Sequence, residues 1–104
     1  MAVPTLTPEQ RAVAVVKAAE ARRARSELLA GVRAGTVTVA QVFARAEEEI
    51  VVQKTRVVQV LRAVPGYGPA KVAALMATCG VEAKRRVGGL EEAQRERLLT
   101  AFAG

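Results

Sequence analysis

The 104-residue chain has no histidine, no tryptophan and no aspartate, and only one cysteine, Cys79. Without histidine it lacks the usual general base near neutral pH, a Ser-His or Cys-His nucleophile pair, and the ligands of a Cys/His zinc site. We therefore expect a protein that is not an enzyme, with no catalytic residues, no metal site and no cofactor.

The single cysteine and the lack of long apolar runs indicate the cellular compartment of the protein. One cysteine excludes an internal disulfide, and Cys79 lies in an apolar helical stretch, where we expect a small buried side chain. No apolar run approaches the ~18 residues of a membrane span, and Met1 to Thr7 lacks the charged start and apolar core of a signal peptide. The sequence predicts a soluble cytoplasmic protein with no membrane partner and no small-molecule substrate.

Basic residues outnumber acidic ones in this chain. Lys and Arg total 16 against 10 acidic residues, all glutamates, which gives a net charge of +6 and a pI near 10.5. Twelve of the basic residues are arginines, which suit bidentate contacts with phosphate. This charge suits a polyanionic partner, and we expect nucleic acid ahead of an anionic membrane surface, which charge alone would also allow. The alternative explanation is a genome that favours Ala, Arg and Gly codons.

The first helix has a clear start signal. Thr7 and Gln10 have the spacing of a capping box, and Pro8 suits the first helical position. The pattern predicts a long basic helix over residues 7–34. At ~100° per residue, arginines and glutamates fall on opposite faces; they are Arg11, Arg22, Arg25 and Arg33 against Glu9, Glu20 and Glu27. The arginine face is either a solvated surface or one that faces a polyanion.

An alanine-rich stripe runs between these two charged faces. It consists of Ala14, Ala18, Ala21, Leu28 and Val32. Small side chains allow close helix packing, so we expect the whole stripe to contact another helix.

About four further helices complete an all-α chain of about five helices in a single domain, 1–104. Thr38 and Gln41 form a second capping box before an apolar face of Val39, Val42, Phe43 and Ala46. Residues 50–64 mix strand and helix signals, and we predict a helix from about Thr55 to Ala63. Another runs from Pro69 to Gly80, and the last follows Leu90, with a predicted buried side of Ala93, Leu98, Ala101 and Phe102.

The turn between the third and fourth predicted helices reads Pro65-Gly66-Tyr67-Gly68. Glycines let the backbone approach a ligand closely, and a helix beginning at Pro69 directs unpaired N–H groups the same way. A phosphate group fits such a site. The basic run Lys84-Arg85-Arg86 follows after a short gap and supplies matching charge.

This turn and its flanking apolar residues resemble a helix-hairpin-helix nucleic-acid-binding motif. The pattern from Leu61 to Phe102 is similar to the helix-two-turn-helix unit of ribosomal protein S13 and of the formamidopyrimidine glycosylases. Taken whole, from the Leu6-Thr7-Pro8 opening through Lys54, the glycine turn and Arg85-Arg86-Val87, the chain resembles the actinobacterial integration host factors. It is identified as a divergent member of that family.

The resemblance implies a helix-two-turn-helix DNA-binding unit over residues 54–103. It implies that the protein binds double-stranded DNA with little sequence preference through backbone and minor-groove contacts, as a monomer in the nucleoid. It further implies that the protein bends or compacts the chromosome and supports phage integration, with a phage integrase as a further partner. The DNA-binding residues that it implies are Gly66, Tyr67, Gly68, Lys71, Lys84, Arg85 and Arg86.

Three positions depart from the pattern of the family. Gly88 stands where the family usually has a further arginine, Gln53 stands where a glycine is common, and Val72 replaces the usual small residue after the second glycine of the turn. Lys84 partly replaces the positive charge missing at Gly88.

Three alternatives remain open from the sequence. The first is RNA binding in the manner of S13, although the chain stops soon after the last helix, without a long basic tail. The second is a glycosylase, although this chain has no Asp to act as the catalytic residue and Pro4 is not at the N-terminus. The third is a module whose basic face meets an acidic protein.

Overall fold

A computed structural model describes residues 5–103 of the chain. Within them lie six α-helices and one turn of 3-10 helix, Val87–Gly89, with a single isolated β-bridge and no longer strand. The helices are α1 (Pro8–Ala34), α2 (Val39–Arg45), α3 (Ile50–Lys54), α4 (Val57–Ala63), α5 (Pro69–Cys79) and α6 (Glu92–Ala103). The predicted all-α class is confirmed.

Both predicted capping boxes are present. The Thr7 hydroxyl accepts a hydrogen bond from the backbone N–H of Gln10 at 3.1 Å, and the Gln10 side chain accepts one from the Thr7 N–H at 3.0 Å. Thr38 and Gln41 make the same pair of bonds at the start of α2. At its other end α1 stops at Gly35, which has a φ of 80°. The two capping boxes at the N-terminal ends satisfy N–H groups that have no partner inside the helix.

One helix more than the predicted five is present within residues 5–103. It is α3, which lies in the segment where strand and helix signals are mixed. The β-branched run Ile50-Val51-Val52 favours a strand, but Val52 is buried in the core as part of a single helical turn. Tertiary packing outweighs the local preference here. The predicted helix over 55–63 begins two residues later, at Val57, because Thr55 and Arg56 are extended.

Glu49 joins α2 to α3 through a bidentate ion pair. The Arg45 guanidinium donates to its two carboxylate oxygens at 2.7 and 2.9 Å. This hydrogen bonding lowers the pKa of the Glu49 carboxyl. Because the pair is exposed, it contributes little to stability.

The core lies between the second half of α1 and the five shorter helices. Leu28 and Val32 are the buried residues of α1, which contacts α3 and α4. Ala14 and Ala18 are exposed, so the predicted alanine stripe packs only at its C-terminal end, where Ala21 is half-buried. Every residue of α1 from 8 to 20 is exposed, and the helix therefore extends well beyond the core.

The packing of α6 differs from its prediction. Leu98 is buried and Phe102 half-buried, as expected, but Ala93 and Ala101 are exposed. Gln94 takes the buried position instead. Its amide donates to Gly80 O at 2.7 Å and accepts from the Glu91 N–H at 2.9 Å, so a polar residue is satisfied inside the core.

The prediction of a buried Cys79 in α5 is confirmed. Val72, Met76 and Cys79 are buried, and Gly80 ends the helix with a φ of 70°.

Among residues 5–103, no helix has both the length and the apolar character needed to cross a membrane.

Two valines of α1 test whether only its C-terminal half packs on the core. Val32 is 2% exposed and Val16 is 55% exposed. We expect Val32→Ala to lower the free energy of unfolding by about 2 to 3 kcal/mol, because it leaves a cavity in the core. The matched change Val16→Ala should stay within about 0.5 kcal/mol. Urea denaturation of both variants measures this, and equal losses would contradict the placement of α1.

Candidate nucleic-acid interface

The turn between α4 and α5 leaves two backbone N–H groups without partners at the start of α5. Gly66 has a φ of 86°, in the left-handed region, and the Tyr67 N–H closes the turn onto Val64 O at 3.1 Å. Pro69 is the first residue of α5, and the first backbone bond of the helix runs from Val72 N to Gly68 O. No side chain caps this end. The N–H groups of Ala70 and Lys71 are therefore free to bind an anion.

The two glycines of the turn serve different purposes. Gly66 is needed for its positive φ, which L-residues rarely adopt. Gly68 has an ordinary φ of −82°, and a Cβ built there would meet nothing within 4 Å. The fold therefore does not require glycine at position 68, where the missing side chain instead leaves open space in front of α5.

Aromatic contacts place Lys71 beside this open space. Its ammonium nitrogen lies 4.4 Å from the centre of the Tyr67 ring, a cation–π distance. The Tyr67 ring packs in turn on Phe102 of α6, with ring centres 4.7 Å apart. The positive charge of Lys71 is thus held over Tyr67, a residue of the glycine turn.

The basic loop, residues 82–89, is attached to the junction of α3 and α4. Val57 N donates to Arg85 O at 3.0 Å and Val87 N donates to Thr55 O at 2.9 Å. These bonds enclose an antiparallel bridge between Arg56 and Arg86. In such a non-hydrogen-bonded pair the two residues are directly opposite, with Cα atoms about 4.5 Å apart. Two exposed arginines therefore extend side by side from the surface.

The three basic residues of the loop are held to different degrees. Arg86 Nη1 donates to Lys54 O at 3.1 Å. Arg85 is half-buried; it donates to Gly89 O at 3.1 Å and lies 3.7 Å from the Glu82 carboxylate, while its Nε is buried with no partner. Lys84 is exposed. Arg85 thus braces the loop, and Lys84 and Arg86 present charge to solvent.

The two halves of the predicted site lie at opposite ends of α4. The basic loop bonds to Val57, the first residue of α4, and the glycine turn begins at Val64, just after its last. Seven helical residues span about 10 Å. Lys84, Arg85 and Arg86 are therefore grouped at one end, and Gly66, Tyr67, Gly68 and Lys71 at the other.

The structure adds residues that the sequence reasoning leaves outside the site. Lys54 and Arg56 are absent from the predicted DNA-binding residues, yet they lie against the basic loop. Gln53 faces the same loop. Thr55 is buried, whereas Lys54 at the end of α3 and Arg56 are exposed on either side of it, and this basic-polar-basic pattern is the one local signal for the two cations.

On α1, the arginine face is only partly free. Arg11, Arg22 and Arg33 are exposed, whereas Arg25 is half-buried and its Nε is buried with no partner. The ion pairs found within residues 5–103 lie on other elements. The charge segregation read from the sequence is therefore retained on the protruding helix.

Comparisons with known proteins agree on one family. A model of the S13-like H2TH domain matches residues 32–102. The integration host factor of Mycobacterium tuberculosis is 42% identical over 102 residues, covering 98% of this chain and 97% of that protein. The integration host factor of Streptomyces coelicolor is 39% identical over 90 residues, covering 86% and 84%.

A solved structure gives the same result at the level of the fold. It is a structure of sIHF bound to an 8-bp palindromic DNA. The two folds superpose with a TM-score of 0.80 at 31% sequence identity, covering 83% of this chain and 97% of that one.

The two glycines of the turn should respond differently to the same substitution. We expect Gly66→Ala to destabilise the protein by about 1 to 2 kcal/mol, because alanine is strained at positive φ. Gly68→Ala should change stability by less than about 0.5 kcal/mol, since its φ is ordinary and its Cβ has room. Thermal and urea unfolding measure both. A large loss in the Gly68 variant would mean that the fold itself requires that glycine.

Proposed function

The chain belongs to the actinobacterial integration host factor family, and from this membership we propose that it binds double-stranded DNA with little sequence preference. The relative solved as sIHF is bound to DNA. In this chain, the observation that carries the proposal is the pair of opposed arginines, Arg56 and Arg86. Like charges directly opposite each other destabilise a strand pair. A phosphate backbone lying across them turns that repulsion into attraction.

The cations around this pair come from two separate segments. Lys54 and Arg56 precede α4, and Lys84, Arg85 and Arg86 lie in the basic loop. Glu82 is the acidic residue among them, and it pairs with Arg85 rather than with the two opposed arginines. The charges therefore add to one positive surface. Such a surface recognises phosphates and carries little sequence information.

The glycine turn supplies a second anchor. The free N–H groups of Ala70 and Lys71, the Lys71 ammonium and the open space at Gly68 suit one phosphate group. The seven residues of α4, about 10 Å long, separate this anchor from the basic loop along the chain. Two separate anchors hold a duplex at two points, which fixes its direction on the protein.

We extend the proposal to an architectural role. Two rigidly linked phosphate anchors favour a particular path of the duplex, which supports DNA bending and compaction in the nucleoid. The protein acts without catalysis, as a monomer, and its support of phage integration follows from the DNA path that it imposes. RNA is the competing ligand, and competition between duplex DNA and duplex RNA of equal length distinguishes the two.

A salt titration tests the phosphate contacts. Five cations reach the proposed surface: Lys54, Arg56, Lys71, Lys84 and Arg86. Each neutralised phosphate contributes about −0.9 to the slope of log K against log salt, so we expect a slope of about −4.5. Gel shifts with a random-sequence duplex across a salt series measure it. A slope near zero would exclude the proposal.

The opposed arginines give a sharper test. Arg56→Ala removes a phosphate contact and also a like-charge repulsion. We expect weaker DNA binding, a salt slope reduced by about 0.9, and a melting temperature that is unchanged or slightly higher. Arg45→Ala is the matched control, because that guanidinium is already paired with Glu49. Its affinity and slope should equal those of the wild type, and an unchanged slope in the Arg56 variant would remove Arg56 from the interface.

A further inference from the structure

Gly88 of the basic loop lies against Gln53 of α3. A Cβ built at this position would lie 2.9 Å from the Gln53 Cβ and 3.2 Å from the Gln53 backbone oxygen. Real Cβ atoms essentially never approach another atom to less than 3.0 Å. The φ of Gly88 is not in the left-handed region, so glycine is required here for space and not for conformation. The loop can lie this close to Gln53 only because position 88 has no side chain.

Gln53 and Gly88 together line a depression that also contains Glu47 and Arg95, and Gln53 in addition lines a depression formed by the basic loop. The depression of the basic loop has a volume of about 410 Å³, and Lys84, Arg85 and Arg86 line it together with Glu82 and Gly89. Gln53 is half-buried, which restricts its side chain while leaving part of it in contact with solvent. Its side chain is neutral, whereas the other side chains that line the depression of the basic loop are charged.

The hydrogen bonds around Gln53 use other groups. Thr55 Oγ1 donates to Val51 O, Arg86 donates to Lys54 O, and Arg85 donates to Gly89 O. The Gln53 carboxamide takes part in none of these bonds. It therefore keeps two N–H donors and one oxygen acceptor for a ligand.

We infer that Gln53 is a DNA-contacting residue whose carboxamide donates a hydrogen bond to the duplex inside the depression of the basic loop. Gly88 is a positioning residue, because a side chain there would displace Gln53 and the loop from each other. This inference rests on the proposed function. The acceptor is either a phosphate oxygen or a base edge in the minor groove, and both chemistries accept the same donor.

Because Gln53 is neutral, its substitution should differ from an arginine substitution in its effect on the salt dependence of DNA binding. Counterion release depends on the number of phosphates neutralised by positive charge. Losing a carboxamide removes a hydrogen bond but no charge. We therefore expect Gln53→Ala to weaken DNA binding about tenfold while the salt slope stays that of the wild type.

The experiment compares Gln53→Ala with Gln59→Ala in gel shifts across a salt series. Gln59 is exposed on α4 and is not part of the depression, so its variant should bind like the wild type. Two duplexes, one A·T-rich and one G·C-rich, locate the acceptor. A loss confined to one duplex indicates a base edge in the minor groove, and equal losses indicate an acceptor common to all sequences, as phosphate oxygens are.

Gly88→Ala completes a double-mutant cycle with Gln53→Ala. The Cβ–Cβ contact persists in the double variant, so Gly88→Ala should lower the melting temperature equally in the wild type and in the Gln53→Ala background. Its effect on DNA affinity should be about a tenfold loss in the wild type and a small loss in the Gln53→Ala background, where the contact is already gone. An additive loss of affinity would mean that Gly88→Ala acts on the basic loop and not through Gln53, which would contradict the positioning of Gln53 by Gly88.

The outcomes separate this inference from the proposed function. If the wild type fails to bind any duplex, the proposed function is wrong. If the wild type binds with a steep salt slope and Gln53→Ala binds equally well, only the role of Gln53 is wrong.

Discussion

Two backbone hydrogen bonds between residues 55–57 and 85–87 hold the basic loop against the rest of the protein. The segments are about thirty residues apart, so closing them costs chain entropy. Burial offsets that cost, because Thr55, Val57 and Val87 all lie in the interior. Side chains alternate along an extended segment. The alternation that buries these three residues also directs Arg56 and Arg86 outward, so one short pairing creates both an apolar anchor and a cationic surface.

Three glycines near this surface differ in what the fold requires of them. Gly66 permits a positive φ, Gly88 permits close approach of two backbones, and Gly68 satisfies no requirement of the fold. A position at which neither conformation nor packing demands glycine is a candidate for contact with a ligand, since a free backbone is accessible there. The opposed arginines follow the same reasoning. They repel each other in the free protein, so contact with a ligand explains them better than the fold does.

Local signals explain most of what could be predicted from the sequence. The caps at Thr7 and Thr38 depend on residues three apart, and the glycine turn depends on residues within one loop; all were predictable. Helix α3 was not, because Ile50-Val51-Val52 favours a strand and only burial of Val52 selects the helix. The exposure of Ala14 and Ala18 depends on where α1 leaves the core, which periodicity alone does not show.

The candidate site was predictable in its residue types but not in its arrangement. The bridge of Arg56 to Arg86, the contact of Gly88 with Gln53, and the separation of the loop from the glycine turn all join residues far apart in sequence. Each depends on how α3, α4 and α5 pack. A sequence pattern names the side chains that can hold phosphate, and the packing decides which of them lie on one surface.

The protruding half of α1 has a consequence for how that helix melts. A helix as short as residues 8–20 is marginal in water by itself, chiefly because its first turn is costly to form, with a nucleation constant of about 10⁻³. Here the turns around Leu28 and Val32 are fixed by the core and serve as the nucleus, so the outer turns only have to propagate from it. Unwinding then starts at the free end, and the Thr7–Gln10 capping box lies at the point where fraying would begin.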